Sequence, residues 1–341
     1  MQAGIIMTPA APKLSVVIAA YNAEATVAAC LQAACAQAGA ETEIIVVDDC
    51  SEDATAATAD RFPVELLRLP VRSGVAAARN AGARAARGAI LLFLDADVVP
   101  TADLFARGVN TMAQEGVDAV IGSYDARPAI RSTVSLFKNL AHHYFHQNAR
   151  REAATFWGAC GFIRRDLFMA AGGFDQQRYL LPSIEDVELG ARLVAGGATI
   201  IVDRDLQVTH LKRWTLPSLL ATDVTRRAIP WTLLALENGS FPADLNFTWR
   251  QRLAALTAVA LTAALMATLQ WSRMGLVFGA LLAAAAILNR DLYRLFYDHG
   301  GVRLAVRGFL LQQLYYLYSL VGLAAGVLIH CARRIANAGA A

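Results

Sequence analysis

Between Lys13 and His210 the chain alternates two hydrophobic patterns. Short aliphatic runs (LSVVIAAY, EIIVVDD, AILLFLDAD, VDAVIGSY, ATIIVD) are separated by alanine-rich stretches of helical spacing. Runs this apolar bury both faces, so the pattern predicts βαβ units and a Rossmann-like, mostly parallel sheet flanked by helices. Several runs end in polar or acidic residues: Tyr21 and Asn22, Asp48 and Asp49, Asp95 and Asp97. In open α/β sheets ligands bind outside the carboxyl ends of the strands, so these residues are expected to line one crevice.

After about residue 250 the pattern changes. Stretches at about 251–270, 272–289 and 306–330 are Ala/Leu-rich and almost uncharged, near the roughly 20 residues that cross a bilayer. The first two are joined by Trp271, Ser272 and Arg273 alone, a link that suits a spanning hairpin better than a soluble core. The third carries Gln312, Gln313 and several tyrosines, which suits packing against other helices. Arg290, Arg294 and Arg303 between the second and third favour a cytoplasmic loop. The expected division is an α/β domain over 13–235, then an interfacial segment and two to three transmembrane helices over 236–341. The stretch from Thr215 to Phe241 mixes apolar residues with Arg226, Arg227 and Trp231, as an interfacial helix does.

Composition supports a membrane protein: 56% of the 341 residues are hydrophobic and 17% charged, where typical globular chains carry about a quarter charged. The net charge of +3, without a basic block, gives no reason to expect nucleic acid. Five scattered cysteines show no paired metal spacing and are expected to be reduced and mostly buried. The first residues lack a basic region followed by an apolar one, so no secretory signal is expected and the α/β domain is placed in the cytoplasm.

The sharpest chemical signal is LLFLDADVVP, a buried-strand pattern running into Asp95 and Asp97 around the small Ala96. Two such carboxylates suit a hard divalent cation bridging a diphosphate, although helix capping by Asp97 explains the turn equally well in isolation. Asp49 suits a base or ribose, or a helix cap. Arg79 suits a phosphate, or a solvated helix face. Trp157 and Gly158 put an aromatic ring beside small residues, as a sugar site or a core would. Glu185 and Asp186 open a helix, where acids also complement its dipole. His142, His143 and His146 share a helix, but an interfacial helix with Phe137, Leu140, Tyr144 and Phe145 explains them more simply than a metal site.

Taken in order, SVVIAAYNAE, EIIVVDDCSED, the Arg72 to Asn80 segment, FLDADVVP, GGFD and EDVELGARL resemble glycosyltransferase family 2 over residues 13–214. The resemblance implies the GT-A fold, a hexosyltransferase activity, a nucleotide-diphosphosugar donor, a divalent cation (Mg2+ or Mn2+) and inversion at the anomeric carbon. It implies donor contacts from Ala19, Tyr21, Asn22, Glu24, Asp49, Arg79, Asp95 and Ala96. Asp97 is the implied metal ligand, while His210 suits either a second ligand through neutral imidazole or a polar core histidine. Asp186 is the implied general base beside Glu185, and Trp157, Gly158, Arg213 and Trp214 lie toward the acceptor. His210, Arg213 and Trp214 resemble a Q-x-x-R-W signature in which His replaces the Gln.

The expected function is therefore metal-dependent sugar transfer to a lipid-linked or membrane-proximal glycan acceptor by a multi-pass protein of the inner or plasma membrane. A processive polysaccharide synthase subunit is an alternative. Three helices or fewer are too few for a channel unless the chain forms a homo-oligomer or has a partner. A non-catalytic membrane protein that binds a nucleotide-sugar is a second alternative, disfavoured by the presence of all the acids. A nucleotidyltransferase predicts a basic glycine-rich loop where Ala19, Ala20, Tyr21 and Asn22 stand.

Overall fold

The structure is a computed structural model that describes residues 12–239 and 248–339. Residues 1–11, where the absence of a secretory signal was read, and Ser240 and Phe241 of the interfacial stretch lie outside the described residues. In chain order the elements are β1 (Leu14–Ala20), α1 (Val27–Cys35), β2 (Thr42–Asp48), α2 (Thr55–Ala59), β3 (Glu65–Arg68), α3 (Val75–Ala85), β4 (Ile90–Asp95), β5 (Val98–Pro100), α4 (Leu104–Glu115) and β6 (Ala119–Tyr124). They continue with α5 (Thr133–Gln147), β7 (Cys160–Arg164), α6 (Arg165–Ala170), α7 (Glu185–Ala195), β8 (Ile200–His210), α8 (Leu216–Ala221) and, after a π-helical stretch Thr222–Ala228, α9 (Ile229–Glu237). The last three are α10 (Trp249–Thr268), α11 (Met274–Leu288) and α12 (Arg290–Gly339).

Packing divides the chain into two units: Met1–Gly122 with Thr155–Val208, and Ser123–Ala154 with Thr209–Ala341. The expected single boundary near residue 235 does not describe this grouping, because the second unit also takes the α5 segment out of the middle of the chain.

The first unit is built on a sheet of order β3-β2-β1-β4-β7-β6-β8-β5. The aliphatic runs form its centre: Val16, Val17, Ile18, Ile45, Val46, Val47, Leu91, Leu92, Phe93 and Leu94 are buried, as strands covered on both faces require. β2, β1 and β4 are parallel, with Ala20 opposite Asp48 and Ala19 opposite Asp95. That register brings the polar strand ends of three βα turns to one edge, as the sequence pattern predicts. The other half of the sheet departs from the expected mostly parallel arrangement, since β7 runs antiparallel to both β4 and β6. β7 was hidden in a glycine-rich segment whose only large apolar residues are Phe162 and Ile163. Behind the polar edge lies an aromatic core in which the Phe93 ring sits 5.0 Å from Phe168 and 5.1 Å from Phe174.

The second unit is helical. Leu136, Phe137 and Leu140 of α5 pack with Trp214, Leu219, Leu292, Phe296 and Leu304. α10 and α11 form a hairpin whose outer face exposes Leu256, Leu269, Leu276 and Ile287. α12 is broken at Gly300 and Gly301, where Gly301 takes a left-handed φ of 63°. Trp249–Thr268 and Arg290–Asn337 are long and apolar enough to cross a membrane, and Met274–Leu288 is a shorter apolar helix. The third apolar stretch does not stand alone: a Cβ at Gly322 would fall 2.4 Å from the Ala228 side chain, and one at Gly326 2.7 Å from Thr232. Small residues four apart let two helix backbones approach closely. Tyr318 of the same stretch donates to buried Asp223 at 2.7 Å, and Asp223 also pairs with Lys138 at 2.6 Å. Gln251, Asn289 and Tyr316 form a second buried polar contact, with the Tyr316 hydroxyl 2.6 Å from Gln251 and 3.0 Å from Asn289.

Three of the six histidines form a column in the second unit. The His146 and His142 rings stack at 4.0 Å, His142 lies 4.4 Å from Tyr124, and Tyr124 stacks on His210 at 4.3 Å. Burial, with His146, Arg227, Lys138 and His210 adding to it, pushes the His142 imidazole well below its ordinary value. A base whose folded value is depressed is stabilising in full above its unfolded value, about 6.5, and loses that contribution as pH falls. His142→Phe, which keeps a flat ring in the column, is therefore expected to flatten the fall in unfolding midpoint below about pH 6.5. An unchanged slope in a pH series of thermal melts would contradict this.

Candidate active site

The polar strand ends are fixed in place by contacts with neighbouring loops. Asn22 follows β1 in a left-handed conformation, φ 47°, which its short polar side chain tolerates. Its backbone N–H donates to Ser51 Oγ at 3.0 Å, and its Oδ1 accepts the Glu52 N–H at 2.9 Å. Glu24 accepts the Ala54 N–H at 3.0 Å. Asn22 and Glu24, expected as donor contacts, thus join the turn after β1 to the turn after β2. Asp49 is buried, and its two oxygens accept the Ser73 N–H at 2.6 Å and the Gly74 N–H at 2.8 Å. These contacts tie Asp49 to the loop entering α3. Tyr21 is half-buried, with the Arg72 guanidinium 4.1 Å over its ring, and Ala19 is half-buried beside Asp95.

Asp95 closes β4, and Ala96 and Asp97 make the turn to β5, with Ala96 buried and both acids half-buried. Enclosure raises the Asp95 carboxyl above the ordinary range, Asp97 and Glu185 adding to the effect and Arg79 opposing it. Arg79 is almost completely enclosed, its side chain 4% exposed. It pairs with Asp95 at 2.6 Å and with Glu185 at 2.9 Å. The Glu185 partner lies 106 positions away in sequence, a pairing that no local spacing signals.

Glu185 and Asp186 open α7 and take different surroundings. Glu185 is buried, with Oε1 on Arg79 and Oε2 accepting the Ser183 N–H at 2.8 Å. Both Glu185 oxygens are thus engaged within the protein. Asp186 is half-buried and accepts the Gly158 N–H at 3.0 Å on Oδ2. Burial, reinforced by Glu185 and opposed by Arg79 and the Gly158 and Val187 N–H groups, raises Asp186 to about 6. A carboxylate tuned there is ionised at neutral pH yet basic enough to accept a proton. Trp157 and Gly158 stand just before β7, with Trp157 half-buried.

The remaining expected residues belong to the second unit. His210 is buried, its Nδ1 2.6 Å from Asn139 Oδ1 and its ring stacked on Tyr124. Among the described residues no group of three or more His, Cys, Asp or Glu could hold a metal ion, so the structure gives no support to His210 as a second ligand with Asp97. Trp214 is 5% exposed, packed among Leu136, Phe137 and Leu140, with Lys212 4.6 Å from its ring. Arg213 is exposed. All five cysteines are free, but only Cys30 and Cys160 are buried, fewer than expected.

Residues 15–171 match the family described as Glycosyl transferase family 2. The succinoglycan biosynthesis protein ExoO of Rhizobium meliloti is 37% identical over 117 residues, 33% of this chain and 34% of that protein. Glycosyltransferase AglE of Haloferax volcanii is 37% identical over 126 residues, 35% of this chain and 41% of that protein. The matched segments thus span well under half the length of these curated relatives. Among solved structures, the mannosyltransferase PcManGT of Pyrobaculum calidifontis, in complex with GDP-Man and Mn2+, superposes with a TM-score of 0.64 over 92% of this chain and 87% of that one. At 22% identity this likeness speaks for the fold. The family match covers Asp49, Arg79, Asp95, Asp97 and Gly158 and stops before Glu185 and Asp186. The matched segment, the partial relatives and the shared fold make residues 15–171 of this chain similar to glycosyltransferase family 2.

Proposed function

We propose that this protein is an inverting, metal-dependent hexosyltransferase that moves a sugar from a nucleotide-diphosphosugar to a hydroxyl of a lipid-linked or membrane-proximal acceptor. The observation that carries the reading is Asp186, a half-buried carboxylate raised to about 6 and linked through Gly158 and Arg79 to the Asp95 end of β4. In the proposed reaction Asp186 takes the proton of the acceptor hydroxyl as its oxygen attacks the anomeric carbon. The new C–O bond forms as the bond to the diphosphate breaks, and the nucleoside diphosphate leaves with the bonding electrons.

The acids fit a divalent cation held jointly with substrate. Asp97 and Asp95 are close enough that one raises the pKa of the other, a repulsion that a cation relieves. Hard cations of the Mg2+ type are commonly bound by one or two carboxylates plus substrate phosphates, with no dedicated protein cage. When bound, the cation supplies charge neutralisation for the departing diphosphate. Asp97 is the proposed protein ligand.

The membrane reading rests on α10 and α11. Twenty residues of α10 reach roughly 30 Å at helical rise, about the thickness of a bilayer core. Trp249 is 80% and Trp271 61% exposed at its two ends, where aromatic residues mark the membrane surfaces. The arginines of the segment before the third apolar stretch favour the cytoplasmic side.

Nucleotide-diphosphosugars screened with and without Mn2+ test the reading. One of them is expected to raise the unfolding midpoint only when metal is present, by an amount set by about 2.7 kcal/mol at a hundredfold excess over Kd. That donor is expected to be consumed when membrane lipid extract is added. Absence of metal-dependent stabilisation by every nucleotide-sugar would overturn the proposal.

A further inference from the structure

Gly158 separates two charges of the site. An added Cβ there would fall 2.7 Å from the centre of the Arg79 guanidinium, while the Gly158 N–H donates to Asp186 at 3.0 Å. Arg79 in turn spans Asp95 and Glu185, and its guanidinium lies 5.3 Å from the Phe174 ring of the aromatic core. Burial works against its charge, but Asp95, Glu185 and Asp186 more than offset this and keep it protonated. A side chain 4% exposed, with both terminal nitrogens on carboxylates, is built into the protein and is not presented to a ligand.

We propose that Arg79 is a positioning residue of the transfer reaction: it fixes Asp95 on the donor side and the Glu185 end of α7, and through the bare Gly158 backbone it sets the distance and electrostatic environment of the base Asp186. This rests on the reading of Asp186 given above. A bidentate fork is needed because the two carboxylates come from different elements, the end of β4 and the first turn of α7. Only glycine at position 158 lets the fork and the base share the two sides of one peptide.

The test compares Arg79→Met, Arg79→Lys and Gly158→Ala with the unmodified protein, reading kcat, donor Kd and the pH profile of kcat/KM. The unmodified protein is expected to lose kcat/KM below about pH 6 as Asp186 takes up a proton. Arg79→Met removes a positive charge that favours the ionised base, so the acid limb is expected to move to higher pH, with kcat down about tenfold or more and donor Kd little changed. Lys restores one of the two ion pairs and part of kcat. Gly158→Ala displaces the guanidinium without deleting it and is expected to lower kcat with donor Kd retained.

If Arg79→Met does not fold, Arg79→Met combined with Glu185→Gln removes the more deeply buried of the two orphaned carboxylates and is assayed for kcat and donor Kd, because the two substitutions act oppositely on Asp186. A rise in donor Kd with kcat and the acid limb unchanged would assign Arg79 to the donor phosphates and overturn the inference. An acid limb present in the unmodified protein and unmoved in Arg79→Met overturns the inference alone. An unmodified protein without that limb overturns the assignment of Asp186 and the inference with it.

Discussion

Asp186→Asn is expected to abolish transfer to a hydroxyl acceptor while leaving donor binding intact. The substitution keeps the shape of the side chain and an oxygen that can accept the Gly158 N–H at 3.0 Å, but removes the only proposed proton acceptor. Losing a positioned general base costs typically 10²–10⁴ in rate, roughly 3–5 kcal/mol of transition-state stabilisation. The loss is expected in kcat, with the donor Kd from calorimetric titration within about twofold of the unmodified value, because the interaction is made only in the transition state. The residual rate is expected to lose the acid limb near pH 6, since the group responsible for it no longer titrates. The measurement also separates two acceptor chemistries. A phosphate acceptor is already nucleophilic and needs no base, so a variant that keeps nearly full kcat with its native acceptor would exclude the hydroxyl mechanism.

How far the sequence foretold this depends on the range over which each determinant acts. The buried runs of β1, β2 and β4 are local signals, and their polar ends predicted one edge of the sheet because parallel register follows from βαβ connection. β7 escaped because its direction is set by its neighbours β4 and β6 and its apolar run is only the short Phe162 and Ile163 after Gly161. The site acids were legible as residue types at strand ends and a helix start, and the family resemblance sharpened their expected roles. Which of them are free for chemistry was not legible. Asp49, Glu185 and Arg79 are held by internal partners that lie 24 positions or more along the chain, which no local spacing announces.

The second unit gives the same lesson on a larger scale. Trp214 sits in a motif whose family context suggested a ligand contact, and its ring is buried against Leu136, Phe137 and Leu140 of α5, 74 to 78 positions earlier, whose docking no spacing announced. The three apolar stretches were visible from hydropathy alone, as membrane-length segments are. Hydropathy could not distinguish a lipid-facing helix from one packed on protein. The close approach of Gly322 and Gly326 to Ala228 and Thr232, and the hydrogen bond from Tyr318 to Asp223, give one face of the third stretch protein neighbours. The α10 and α11 hairpin, with Leu276 85% exposed, keeps a broad apolar surface.

Asp97→Asn is expected to remove the metal-dependent part of donor binding and, with it, most of the activity. Asp97 lies half-buried in the turn between β4 and β5, and its charge raises the neighbouring Asp95. Neutralising it removes that repulsion, so the ligand-free protein is expected to melt at or slightly above the unmodified midpoint. The donor-induced shift in Mn2+ is expected to fall to the level seen in EDTA. A cation that neutralises a leaving diphosphate supplies several kcal/mol, which at about 1.4 kcal/mol per tenfold corresponds to a loss of about 10²–10³ or more in kcat/KM. Asp95→Asn provides the contrast. It breaks the 2.6 Å pair with Arg79 and leaves a buried guanidinium short of one carboxylate, so its ligand-free midpoint is expected to fall as well. Two aspartates separated by one alanine thus answer differently to the same substitution. If Asp97→Asn keeps the full Mn2+-dependent shift, the cation is held elsewhere and Asp97 returns to being a polar turn residue after a buried strand.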